Sequence, residues 1–179
     1  MADEVREPDH EGGDEVAAAL CDRFASAIFF VSHGQSVVYV ERSDLAAAAA
    51  HLRDEEQFTM CVDVTAVDHL ADGVRHRPPG VVTERFEVVA NFLSHSRNRR
   101  IRLICEVPES DPSVPSLTGV YPGVDFSERE AFDLHGIRFD GHPDLTRILM
   151  PDDWVGHPLR KDAPSARVPV TFKGDPRPR

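Results

Sequence analysis

Lysine, cysteine and long apolar runs are all scarce in this sequence, and each shortage excludes something. The longest purely apolar run is Leu45 to Ala50, far short of the roughly 20 residues that a bilayer-crossing helix needs. Residues 1–15 are acidic and lack the apolar stretch of a secretory signal. The expectation is a chain that stays in the cytosol and meets a membrane only through a partner. The three cysteines, Cys21, Cys61 and Cys105, stand far apart in apolar settings. An iron–sulfur cluster takes about four thiolates and a structural zinc site takes clustered Cys and His. These three therefore read as buried or half-buried free thiols in a reducing compartment. No G-x-G-x-x-G or G-x-x-x-x-G-K-[ST] loop offers a cradle for phosphates, and no G-x-S-x-G elbow is present.

Acid outweighs base. The 31 carboxylates exceed the 20 Lys and Arg, leaving a net charge of −11 over 179 residues. That argues against general nucleic-acid binding, which needs a basic face to neutralise phosphates. The charge is uneven: residues 1–23 are strongly acidic, while 75–102 are net basic, with Arg97, Arg99, Arg100 and Arg102 close together. That cluster reads either as a solvated hairpin face or as a partner-binding patch. Lysine occurs only at Lys161 and Lys173, so arginine carries the positive charge, and its planar fork suits multi-donor contacts at protein interfaces.

Residues 1–13 are acidic and rich in breakers, and read as disordered. Asp14 is placed to cap a helix over Val16, Ala17, Leu20 and Phe24. Val37–Glu41 reads as a strand, and Ser43 or Asp44 caps an alanine-rich helix ending near Glu55. Phe58, Met60, Val62 and Val64 alternate with polar neighbours, which predicts a strand with those four on the core. Residues 71–80 read as a loop. Arg85–His95 and Arg99–Val107 alternate on either side of a turn, which predicts a β-hairpin. Its core face carries Phe86, Val88, Ala90 and Phe92, then Ile101, Leu103, Cys105 and Val107. Arg100, Arg102, Ile104 and Glu106 point outward. Pro108–Ser116 reads as a connection and Pro122–Gly136 as one helix, capped by Asp125 or Ser127. The fold class is α+β: a mostly antiparallel sheet with helices packed on one face, spanning residues 14–136.

Residues 137–179 change character. Prolines abound and periodicity is absent, yet Ile137, Phe139, Leu145, Ile148, Leu149, Trp154 and Leu159 are large and apolar. This predicts an extended partner-binding arm that lays those side chains on a surface. Reactive side chains are densest from Glu128 to Asp162, but no pair of histidines shares a helix face at metal-binding spacing. Arg129 and Asp133 stand four residues apart, which predicts a surface ion pair worth about 0.2–0.5 kcal/mol. Arg129 and Arg147 are the natural counter-ions for the acids of this helix.

The run Glu128-Arg-Glu-Ala-Phe-Asp-Leu-His-Gly-Ile-Arg-Phe-Asp-Gly-His-Pro-Asp-Leu-Thr-Arg-Ile-Leu-Met-Pro-Asp-Asp-Trp, continued by Val155-Gly-His-Pro-Leu-Arg-Lys-Asp-Ala-Pro, resembles the signature of the 30-kDa (C-type) subunit family of complex I. The likeness is tight over 116–164 and looser before it. It departs at His135, where the resemblance implies an aromatic such as Phe or Tyr. The resemblance implies a peripheral-arm subunit of the proton-translocating NADH:quinone oxidoreductase with no catalytic centre, cofactor or metal of its own. The assembled complex uses FMN, iron–sulfur clusters, NADH and a quinone. By the same resemblance, the chain docks on the neighbouring D-type subunit, which helps form the quinone pocket. It also meets other peripheral-arm subunits, at the cytoplasmic side of the cell membrane. The interface residues this places on the chain are Glu128, Arg129, Glu130, Asp133, His142, Pro143, Asp144, Arg147, Trp154, His157, Leu159 and Arg160. Two other readings stand beside it: a homologous subunit of a membrane-bound hydrogenase or another quinone-linked dehydrogenase, and a stand-alone metalloenzyme built on His135, His142 and His157.

Overall fold

The computed structural model describes residues 14–72 and 77–163. The disorder expected for 1–13, part of the 71–80 loop and the tail beyond 163 lie outside the described residues. The Asp14 carboxylate accepts from the N–H groups of Val16 at 3.1 Å and Ala17 at 3.5 Å. This satisfies two donors that a helix start leaves orphaned, and α1 (Glu15–Arg23) follows, with Val16, Ala17 and Leu20 buried.

A hairpin comes next, β1 (Ile28–Ser32) and β2 (Gln35–Tyr39), turning at His33 and Gly34, both at positive φ. Only its second strand was legible in the sequence, because Ile28-Phe-Phe-Val31 shows no alternation. A 3-10 turn at Arg42–Asp44 leads into α2 (Leu45–Asp54). Neither Ser43 nor Asp44 caps that helix with its side chain. The turn supplies the approach, and the Asp44 carboxylate instead accepts from the Ser26 hydroxyl at 2.7 Å.

Three long strands complete the sheet: β3 (Met60–Asp68), β4 (Phe86–Ser94) and β5 (Arg99–Val107). The order is β1-β2-β5-β4-β3, antiparallel throughout except for the parallel β2–β5 pair. The expected inner faces of β4 and β5 are all buried. On β3 the expectation fails for two residues. The register slips between Cys61 and Asp63, and this bulge puts Val62 and Asp63 against a single partner step. Cys61 and Val64 therefore share the core face, while Met60 and Val62 are 44% and 43% exposed.

A second, two-stranded parallel sheet joins β6 (Ser113–Pro115) to β7 (Arg138–Asp140), with α3 (Asp125–His135) between them. The single helix expected over 122–136 begins instead as a 3-10 turn at Pro122–Val124. Val124 stands at the N-cap of α3, so neither Asp125 nor Ser127 caps it. Gly136 ends α3 as expected, in the left-handed region at φ 74°. Residues of α1, α2 and α3 share one apolar cluster with the inner sheet face, and Ile137 and Phe139 are buried within it. Core packing thus continues past Gly136. A smaller cluster of Val37, Tyr39 and Ile104 lies on the outer face, with Val81 packed over it.

Candidate functional site

Residues 142–163 contain no helix or strand, yet many of their polar groups are tied down by named partners. The centre of the arrangement is Asp133, whose side chain has no solvent exposure. One of its oxygens accepts from the successive N–H groups of Ile148, Leu149 and Met150 at 3.1, 2.8 and 2.8 Å. The other accepts from the Arg147 guanidinium at 2.6 Å. Burial alone would raise this carboxyl, but the backbone donors and Arg147 outweigh it and hold its pKa at about 2. A helix-borne carboxylate thus does for an irregular segment what a neighbouring strand would otherwise do: it accounts for the backbone donors.

The arm in turn closes the C-terminal end of α3, where carbonyls lack partners and the helix dipole is negative. The Asp133 carbonyl accepts from His157 Nδ1 at 3.0 Å, and the Leu134 carbonyl from the Leu159 N–H at 3.0 Å. Arg160 Nε donates to the His135 carbonyl at 2.6 Å, and its guanidinium lies over the Phe86 ring at 5.2 Å. His157 must carry its proton on Nδ1 to make that bond, and burial pushes its pKa below the ordinary histidine range. Gly136 permits the close approach. A Cβ there would lie 2.5 Å from the His157 ring and 2.6 Å from the Arg160 guanidinium.

Two further ties fix the ends. Arg129 donates to the Thr146 carbonyl at 3.1 Å and hydroxyl at 2.8 Å. It therefore does not pair with Asp133, as helix spacing alone suggested; its acidic neighbour is Asp125 at 3.9 Å. At the far end, the buried Asp68 carboxylate accepts from the Lys161 N–H at 2.8 Å and from Arg85 at 2.9 and 3.1 Å. Arg85 also reaches Asp162 at 2.7 Å. Burial of Asp68 raises its pKa, but Arg85 and the backbone donors prevail and hold it at about 2.

The sequence-expected interface residues thus separate into three groups. Glu128 and Asp133 are fully buried. Glu128 accepts from the Ser116 hydroxyl and the Leu117 N–H, each at 2.6 Å, and burial raises its pKa. His142 is also enclosed. Its Nδ1 accepts the Asp144 N–H at 3.0 Å, so its proton sits on Nε2, facing the Asp125 carbonyl at 3.3 Å. Arg129, Arg147, His157 and Arg160 are half-buried fasteners, whereas Glu130, Pro143, Asp144, Trp154 and Leu159 are exposed. His135 sits partly buried with Nδ1 lacking a hydrogen-bond partner among the described residues. Burial pushes its pKa down, so a neutral ring occupies the place where the resemblance implies an aromatic.

Exposure also sorts the apolar residues of the arm. Leu149, Trp154, Val155 and Leu159 are 42–94% exposed, and Phe126 on α3 is 67% exposed. Val155 and Phe126 were not expected here, nor were Asp68 and Arg85 as arm anchors. The last two gave no local signal, since Lys161 lies 93 residues from Asp68. Among the described residues, no group of three or more His, Cys, Asp or Glu side chains is arranged to hold a metal ion. No helix there is long and apolar enough to cross a membrane.

Comparison with known proteins gives the arrangement a family. The sequence profile described as respiratory-chain NADH dehydrogenase, 30 Kd subunit, matches residues 38–168. The C-type subunit of NADH-quinone oxidoreductase from a Nocardioides species is 42% identical over 97% of this chain, and that from Salinispora arenicola is 44% identical over 90%. The chain spans 64% and 65% of those relatives' lengths, less than two thirds. The solved trypsin-resistant fragment of Nqo5 superposes with a TM-score of 0.62 at 28% identity, covering 73% of this chain and 97% of the fragment. The α+β sheet domain and its signature helix thus carry the stamp of one lineage, and the chain belongs to the 30 Kd subunit family of respiratory-chain NADH dehydrogenase.

Proposed function

We propose that this chain is a non-catalytic peripheral-arm subunit of a proton-translocating NADH:quinone oxidoreductase. In this reading it docks on the D-type subunit beside the quinone pocket and supports electron transfer from NADH to quinone by holding its neighbours in place. FMN, iron–sulfur clusters, NADH and the quinone belong to other subunits, and attachment to the cytoplasmic side of the cell membrane runs through the complex.

One observation carries the reading. The backbone donors of Ile148, Leu149, Met150 and Lys161 and the side chains of Arg147, His157 and Arg160 are spent inward on α3 and Asp68, while the side chains of Leu149, Trp154, Val155 and Leu159 are left in solvent. A segment fastened this firmly gains nothing alone from exposing large apolar side chains. It gains from a partner that covers them, and pre-fastening lowers the ordering cost of binding. The test is membrane-bound NADH:quinone activity sensitive to rotenone- or piericidin-type inhibitors, in cells whose only copy carries Trp154→Ala with Leu159→Ala. The expected result is loss of that activity, together with loss of the D-type subunit from material purified on this chain. Full activity and unchanged co-purification would refute the reading.

A further inference from the structure

The outer face of the five-stranded sheet is covered at one end and bare at the other. Val81 packs over Tyr39 and Ile104 at the covered end. At the hairpin end, Met60 lies across from Leu93 and Leu93 from Arg100, while Asp63, Asn91, Arg102 and Val37 form the next row. The β3 bulge turns Met60 and Val62 out onto this same end, where both are more than 40% exposed.

The charges of the basic cluster divide into two kinds. Within the basic cluster, Arg97 pairs with Glu56 at 2.9 Å and Arg99 with Asp14 at 2.8 Å. Arg100 and Arg102 have no ion-paired carboxylate among the described residues. Arg102 is instead held by two neutral amides, Asn91 Oδ1 at 3.1 Å and Gln35 Oε1 at 3.0 Å. Amides orient a guanidinium without cancelling its charge, so Arg102 is pre-set for a carboxylate. It lines a hollow of about 310 Å³ together with Arg100, Val62, Asn91 and one carboxylate, Asp63. In a chain of net charge −11, two guanidinium groups outnumber the one carboxylate of this hollow and stand beside exposed Met60 and Val62; arginine and methionine are both enriched at protein interfaces.

We propose that this uncovered end of the sheet is a second docking surface, separate from the arm, and that its hollow receives an Asp or Glu side chain of a partner protein. The proposal rests on the reading that the chain works inside a multi-subunit assembly. The partner surface is acidic around an apolar centre: the carboxylate meets Arg102 and Arg100, and apolar atoms cover Met60 and Val62.

The test uses the full chain in membranes that hold the assembled complex, with the photo-crosslinking residue p-benzoylphenylalanine in place of Val62. A parallel strain carries it in place of Trp154 and reports on the arm. The expected result is a Val62 crosslink to a peptide of another subunit that contains Asp or Glu. Arg100→Gln with Arg102→Gln should cut that crosslink at least ten-fold, leave the Trp154 crosslink unchanged, and leave the melting temperature of the chain unchanged. Arg102→Lys with Arg100 intact should retain part of it. The proposal is overturned if Val62 crosslinks nothing, or crosslinks a peptide without carboxylates, or ignores the arginine substitutions. If Trp154 alone fails to crosslink, the arm reading falls and this surface stands.

Discussion

A carboxylate that receives three successive backbone N–H groups and a guanidinium is worth more charged than neutral. For Asp133 the pKa falls from an ordinary 3.8 to about 2, and the sign of the pH effect follows. A depressed carboxyl contributes stability that is complete above its unfolded value, near pH 4, and is lost as pH falls towards 2. The contribution is on the order of 2 kcal/mol for a fully buried group. Asp133→Asn should therefore destabilise the protein at pH 7 and flatten the stability profile between pH 4 and 2, as read by urea melts across that range. Amide exchange at Ile148, Leu149 and Met150 should quicken in the same variant. Gly136 supports the arm from beneath. Gly136→Ala forces a left-handed alanine, costing roughly 1–2 kcal/mol, and thrusts a methyl against His157 and Arg160. Limited trypsin digestion should then cut at Arg147, Arg160 and Lys161 faster than in the wild-type chain.

At the scale of elements, β3 shows how a one-residue irregularity redirects a pattern. Alternation over Phe58–Val64 placed Met60 and Val62 inside, but the bulge reverses them. Val62→Asp is therefore expected to change stability by less than about 0.5 kcal/mol, whereas Val64→Asp buries an unpaired charge and should cost more than about 3 kcal/mol. Thermal melts of the two variants decide between the bulged register and a regular one. The hairpin Phe86–Val107 was legible because its alternation is unbroken and each inner residue meets an inner partner across the turn. Strand β1 was not, because both of its faces are partly covered and its first four residues are all apolar, which leaves no alternation to read. Strands β6 and β7 are three residues each and pair across the whole length of α3, so no local period marks them. In the candidate site, residues 128 to 160 stood out in the sequence by their density of reactive and apolar side chains, but not by which way those side chains point. Direction depended on partners such as Asp68 and Arg85, set by the tertiary fold.

At the scale of the molecule, the chain is a sheet domain with a strap of irregular backbone fastened across its signature helix. Asp133, Arg147 and Arg160 hold the strap, while Leu149, Trp154, Val155 and Leu159 face outward; in the proposed reading, fastening and docking are therefore tasks of different side chains. Substitutions in the two sets should therefore have different signatures. Changes to the first set lower the stability of the isolated chain; changes to the second leave it intact and weaken assembly. Interface energy concentrates in a few aromatic and arginine anchors worth about 2 kcal/mol or more, a loss of roughly 30-fold in affinity. The most direct measurement is the affinity of the purified chain for the D-type subunit with Trp154→Ala and Leu159→Ala, alongside the melting temperature of each variant. The expected result is binding at least ten-fold weaker with melting unchanged; unchanged affinity would contradict the account.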